Sequence, residues 1–112
     1  MMAAITNTGE IMDKTISPAQ LRSRIESGEG IALLDLRKQA DFDADPVLIP
    51  GAVKLDPSKV AEWEDMVLEK TNTVIYCARG GSISQSIQQH FEQKGIRLPY
   101  LEGGFDAWKN LG

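Results

Sequence analysis

The one cysteine of the chain, Cys77, stands where a strand-forming run gives way to a turn, in Thr73-Val74-Ile75-Tyr76-Cys77-Ala78-Arg79-Gly80-Gly81-Ser82-Ile83-Ser84-Gln85. A short loop wrapped in front of a helix N-terminus turns several backbone N–H groups toward one point, and the helix dipole adds partial positive charge there. An anion is held at such a point. A thiol at the head of the loop has its thiolate stabilised and becomes a stronger nucleophile at neutral pH. Gly80 and Gly81 suit the turn, because glycine takes positive φ at low cost and lets the backbone crowd a ligand. The same pattern also fits a buried strand-end cysteine followed by a plain turn. The chemical reading places the thiol in an exposed, anion-tolerant pocket.

The surrounding elements follow from periodicity and punctuation. Thr73 to Tyr76 is a β-branched and aromatic run of strand length. After the loop, Ile83, Ile87 and Phe91 recur at fourfold spacing, predicting a helix that runs to Lys94 and stops at Gly95. Counting back from Gly95 places its start at Ser84, so the loop spans Cys77 to Ile83, seven residues. His90, on this helix and far from its N-terminus, reads as a packed structural residue.

Upstream, Met1 to Lys14 lacks periodicity and reads as a loosely held arm, leaving 15–112 as the domain. Thr15-Ile16 adds a short edge strand. Ser17 as N-cap, Pro18 at the first helical position and Gln20 placed for a capping box open a helix with Leu21 and Ile25 on one face, closed by Gly28. Ile31 to Leu36 is an apolar run closed by charge, as in a strand buried on both faces. Asp35 and Arg37 fall near its C-terminal end, the edge at which open α/β sheets bind ligands, which makes them candidate supporting residues. They fit equally a pair that fastens the next loop.

Lys38 to Pro50 is mostly loop with one helical turn near Gln39 to Phe42. A short strand at Val53 to Leu55 follows, then the Asp56-Pro57 helix start and an apolar stripe of Val60, Trp63, Met66 and Val67. The Glu69 to Asn72 turn leads back to Thr73. Pro99 to Leu101 is a last strand, Gly103-Gly104 a turn, and Phe105 to Leu111 a terminal helix with Phe105 and Trp108 inward. Strands alternating with helices predict one α/β domain, a mostly parallel sheet covered on both faces.

At 112 residues, with 42% hydrophobic and 25% charged residues, the chain has the makings of one ordinary core. A single cysteine excludes an internal disulfide, a four-cysteine zinc site and a two-cysteine redox pair, and no metal or cofactor is expected. A net charge of −4 gives no support for nucleic-acid binding. No apolar run approaches the ~20 residues that cross a bilayer, and no charged-then-apolar leader precedes a cleavage site. A cytoplasmic location without a membrane partner is expected.

With these pieces placed, the chain resembles the rhodanese-like domain family over nearly all of Ile16 to Gly112. The residues carrying the likeness are Leu33 to Arg37, Ile49-Pro50-Gly51-Ala52, Val74 to Cys77 with its loop, and Leu101 to Phe105 followed by Trp108. The resemblance implies a five-stranded parallel sheet and a cysteine that accepts a sulfane sulfur as a persulfide. It passes that sulfur to cyanide, a thiol or a partner protein's cysteine. On that likeness Cys77 is the nucleophile, and Ala78, Arg79, Gly80, Gly81, Ser82 and Ile83, with Ser84 at the expected helix start, bind the substrate. Arg79 is expected to attract an anionic donor such as thiosulfate. A seven-residue loop resembles those of arsenate reductases and phosphatases instead. Those phosphatases, however, carry an arginine six positions after the cysteine, where Ile83 stands, and so phosphoryl transfer would lack its bidentate clamp. A catalytically silent binding module is the remaining alternative, a class in which the cysteine is usually replaced.

Overall fold

The computed structural model describes residues 14–68 and 72–111. The expected arm lies outside them except for Lys14, and so does most of the expected Glu69 to Asn72 turn. β1 (Thr15–Ile16) leads into α1 (Pro18–Glu26). The capping box forms as the sequence dictates: the Gln20 amide donates to Ser17 Oγ at 3.1 Å and the Ser17 amide to Gln20 Oε1 at 3.0 Å. β2 (Ala32–Asp35), α2 (Gln39–Ala44) and β3 (Ala52–Lys54) follow. Asp56 caps a 3₁₀ turn at Pro57–Lys59 that runs into α3 (Val60–Leu68). β4 (Thr73–Tyr76), α4 (Ser82–Glu92), β5 (Tyr100–Leu101) and α5 (Gly104–Lys109) complete the chain.

The five strands form one parallel sheet in the order β1-β5-β4-β2-β3. β4, with all four residues buried, is its centre. Alternation sends Leu33 and Val74 to one face, against Leu21 of α1 and Phe105 of α5. Leu34 and Ile75 point to the other, against Trp63 and Val67 of α3 and Ile87 and Phe91 of α4. Each such side chain, fully buried, contributes roughly 1.5–3 kcal/mol. Trp63 stacks on Phe91 at 6.2 Å and donates its indole N–H to the Asp56 carbonyl at 2.9 Å, tying α3 to both its neighbour and its own cap.

Several expectations are corrected. α4 starts at Ser82 rather than Ser84 and ends at Glu92 rather than Lys94. Gly95, at φ +80, closes a turn that follows the helix and is not its C-cap, so the helix lies two residues nearer the N-terminus. Met66 is 39% exposed and leaves the apolar stripe, because it stands one residue, about 100° round the helix, from the buried Val67 and on the outer side of Trp63. The terminal helix stops at Lys109.

Candidate active site

Cys77 follows the last residue of β4 at the C-terminal edge of the sheet. The turn after it depends on one left-handed glycine: Gly80 has φ +70, and a Cβ there would stand 3.1 Å from the Gly103 nitrogen and the Leu101 carbonyl. Gly81 differs from expectation. Its φ is −93, nothing lies near its Cβ position, and it serves as the N-cap of α4. The Gln85 amide donates to the Gly81 carbonyl at 3.1 Å as the first bond of the helix. The loop therefore closes at Ser82, the first helical residue, and the seven-residue span from Cys77 to Ile83 is corrected.

The loop is oriented from behind by α5. Phe105 and Asp106 donate their amides to the Cys77 and Ala78 carbonyls at 2.8 and 3.0 Å. A trans peptide unit carries its N–H opposite its C=O, so the Ala78 and Arg79 amides, which belong to those same units, point away from α5. Gly104 makes the approach feasible: a Cβ on it would lie 2.4 Å from the Cys77 carbonyl oxygen and 2.6 Å from the Ala78 carbonyl carbon. Every amide from Ala78 through Ser84 donates to no acceptor among the described residues. The helical members of this run are the unpaired donors that any helix start leaves over.

The Cys77 side is buried, with 4% of the residue exposed, which corrects the expectation of an open thiol. The cysteine lies at the end of a central strand, under α4 and against α5. Ser84, wholly buried on the inner face of α4, donates its hydroxyl to Cys77 Sγ at 3.0 Å. Its hydroxyl is thus directed at the sulfur, while its amide belongs to the unpaired run.

Other candidates are placed as follows. Arg79 points outward, its side chain 82% exposed and its Nε 3.1 Å from Asp106 Oδ2. Asp35 and Arg37 are buried and joined through Nε and a terminal nitrogen, the shortest bond 2.7 Å. That same terminal nitrogen also donates to the Val47 carbonyl at 2.7 Å, the other terminal nitrogen donates to the Asp45 carbonyl at 3.0 Å, and the guanidinium lies 4.0 Å over the Phe105 ring. Arg37 thus ties the irregular segment after α2 to the sheet edge and to α5. Burial raises the Tyr76 phenol well above its ordinary value, with the Asp35 carboxylate adding to the effect, and its oxygen accepts from the Ile49 amide at 3.2 Å. His90 pairs with Glu64 at 2.7 Å and packs edge-on against Phe91, distant from the loop.

A cleft of about 500 Å³ opens beside the loop. It is lined by Ser82, Ile83, Ser86 and Ile87 of α4 together with Arg37, Lys38, Lys54 and Asp56.

With strand, loop, helix and backing glycines in place, the family is defined: the chain belongs to the rhodanese-like domain family, whose pattern matches residues 17–111. It is 29% identical over 96 residues to a protein of Bacillus subtilis provisionally named sulfurtransferase YtwF, covering 86% of this chain and 90% of that one. The thiosulfate sulfurtransferase GlpE of Coxiella burnetii is 32% identical over 80 residues, 70% of this chain and 72% of the relative. The tRNA 2-selenouridine synthase of Shewanella sediminis is 37% identical over 62 residues, but these are 55% of this chain and only 16% of that enzyme's length. In fold, a rhodanese-related protein from Thermoplasma volcanium superposes with a TM-score of 0.70 at 23% identity, over 88% of this chain and 93% of its own.

Proposed function

We infer that the protein is a sulfurtransferase that moves a sulfane sulfur, for example from thiosulfate, to a thiophilic acceptor through a persulfide on Cys77. The observation that carries this reading is the pairing of a buried cysteine, hydrogen-bonded by Ser84, with a following run of amides that find no acceptor among the described residues. Those amides suit the sulfonate of a donor and the outer sulfur of a persulfide, both anionic.

In the first step the Cys77 thiolate attacks the outer sulfur of thiosulfate. The new Sγ–S bond forms as the S–S bond of the donor breaks, and its electron pair leaves with sulfite. In the second step a nucleophile such as cyanide attacks the outer sulfur of the persulfide. A carbon–sulfur bond forms, the Sγ–S bond breaks, and the electron pair returns to Sγ as thiolate. No net oxidation of the protein occurs over the cycle. The backbone amides of Ala78 to Ser84 hold the anions, Arg79 at the rim draws the donor in, and Asp35 and Arg37 keep the neighbouring segment in place.

With α4 beginning at Ser82, the loop-length argument for arsenate or phosphate chemistry loses its basis, and the expected arginine position holds Ile83. Intact-mass measurement after incubation with thiosulfate tests the proposal. The parent is expected to gain one sulfur atom and Cys77→Ser none; a parent whose thiol still takes an alkylating reagent yet never gains sulfur would overturn it.

A further inference from the structure

We propose that Ser84 is a catalytic residue of the hand-off step, stabilising the negative charge that returns to Cys77 Sγ when the sulfur leaves. This rests on the persulfide reading above and adds a role to the same site. Ser84 sits seven residues after Cys77, on the third residue of α4, and its hydroxyl donates to Sγ at 3.0 Å. The residue has 0% exposure, so this donor is oriented by packing and is shielded from water. A hydrogen bond to an ionised acceptor is about twice as strong as one between neutral groups.

The two steps use this bond differently. In loading, Sγ is the attacking atom. A donor on it favours the thiolate but also blunts its attack, and the two effects partly cancel. In the persulfide the charge has moved to the outer sulfur, and Sγ is a neutral, weak acceptor. During hand-off Sγ is the departing atom, and charge builds on it opposite the Ser84 hydroxyl. There the bond strengthens toward the transition state and nothing offsets it. Among the described residues no loop amide donates to Sγ, so at this atom the Ser84 hydroxyl is the donor in place.

The test separates the half-reactions. The full chain and Ser84→Ala are loaded with thiosulfate, with the mass gain followed over time, then freed of donor and mixed with cyanide while thiocyanate is measured. Loading of Ser84→Ala is expected within about twofold of the parent, and hand-off about tenfold slower. Ser84→Thr, which keeps the hydroxyl, is expected to recover most of the hand-off rate. Because loading needs an intact loop, it serves as the folding control for the same sample. Equal hand-off in parent and Ser84→Ala overturns the proposal, as does an equal fall in both steps, which marks a merely structural role. A parent that takes no sulfur at all overturns the underlying function instead.

Discussion

Phe105 donates its amide to the carbonyl of Cys77 at 2.8 Å across a gap that only a glycine at position 104 leaves open. The nucleophile's peptide is thus set by a turn 27 residues downstream, through backbone atoms alone. Side chains contribute at the other end of the same residue, where Ser84 meets the sulfur.

Gly104→Ala is expected to be severe. Its φ of +60 strains any L side chain, and the added carbon would meet Cys77 and Ala78 backbone that cannot move without disturbing the loop. We expect a loss on the order of 3 kcal/mol in urea unfolding and a more than tenfold slower sulfur loading. Gly81→Ala, with a negative φ and open space around it, should cost less than about 1 kcal/mol as an N-cap change. Equal effects of the two would contradict the backing role of Gly104.

Asp35→Asn should act on stability before chemistry. Removing one charge leaves the Arg37 guanidinium buried without its partner, a change that costs about 3–5 kcal/mol when an interior pair is broken. Chemical denaturation measures this loss, and sulfur loading per folded molecule is expected to stay within about threefold, since neither side chain contacts the sulfur. A large loss of loading with parental stability would assign the pair a direct part in the reaction.

Arg79 and Asp106 should respond with opposite signs. Their ion pair is exposed, so removing it changes stability by less than about 1 kcal/mol. Arg79→Ala is expected to raise KM for thiosulfate about threefold with kcat retained, whereas Asp106→Asn, freeing the cation, lowers it. Both effects should fade as salt rises. Steady-state kinetics at two ionic strengths decides; a KM indifferent to both changes removes Arg79 from the site.

The Glu64 and His90 contact gives a pH signature. The hydrogen bond from His90 holds the Glu64 carboxyl below its ordinary 4.5, with Lys94 adding to the effect. The folded state therefore binds fewer protons at Glu64 than the unfolded one. Its stabilising contribution is full above pH 4.5 and is lost as pH falls through the lowered value. Melting temperature against pH should fall less steeply on the acid side in Glu64→Gln than in the parent; parallel curves would refute the coupling.

The parts readable in advance were those governed by neighbours along the chain. The Ser17 capping box and the run ending at Tyr76 needed only local chemistry, and both formed where the residues dictate. The strand–helix alternation likewise led to the parallel sheet. The start of α4 was not readable, because serine and glycine at 81–84 fit a cap as well as a first turn, and the packing of Ile83 and Ser84 decided it. The burial of Cys77 was hidden too, since it depends on α4 and α5 closing over the strand end. Gly103-Gly104 read as a turn; its second glycine is required by an atom of Cys77, a contact no local pattern records. Ser84 stood out by its place after the loop, but the contact of its hydroxyl with the sulfur depends on how α4 packs over the strand end.

The order of strands has a consequence for biosynthesis. β4 pairs with β2, made before it, and with β5, made after it, while β1 waits for β5 as its partner in the sheet. On the ribosome, Cys77 leaves the exit tunnel well ahead of Phe105 and Asp106, the donors that orient its peptide. A nascent chain halted before them carries its sulfhydryl on a half-built sheet, and the peptide that bears it takes its final orientation only once both donors have emerged.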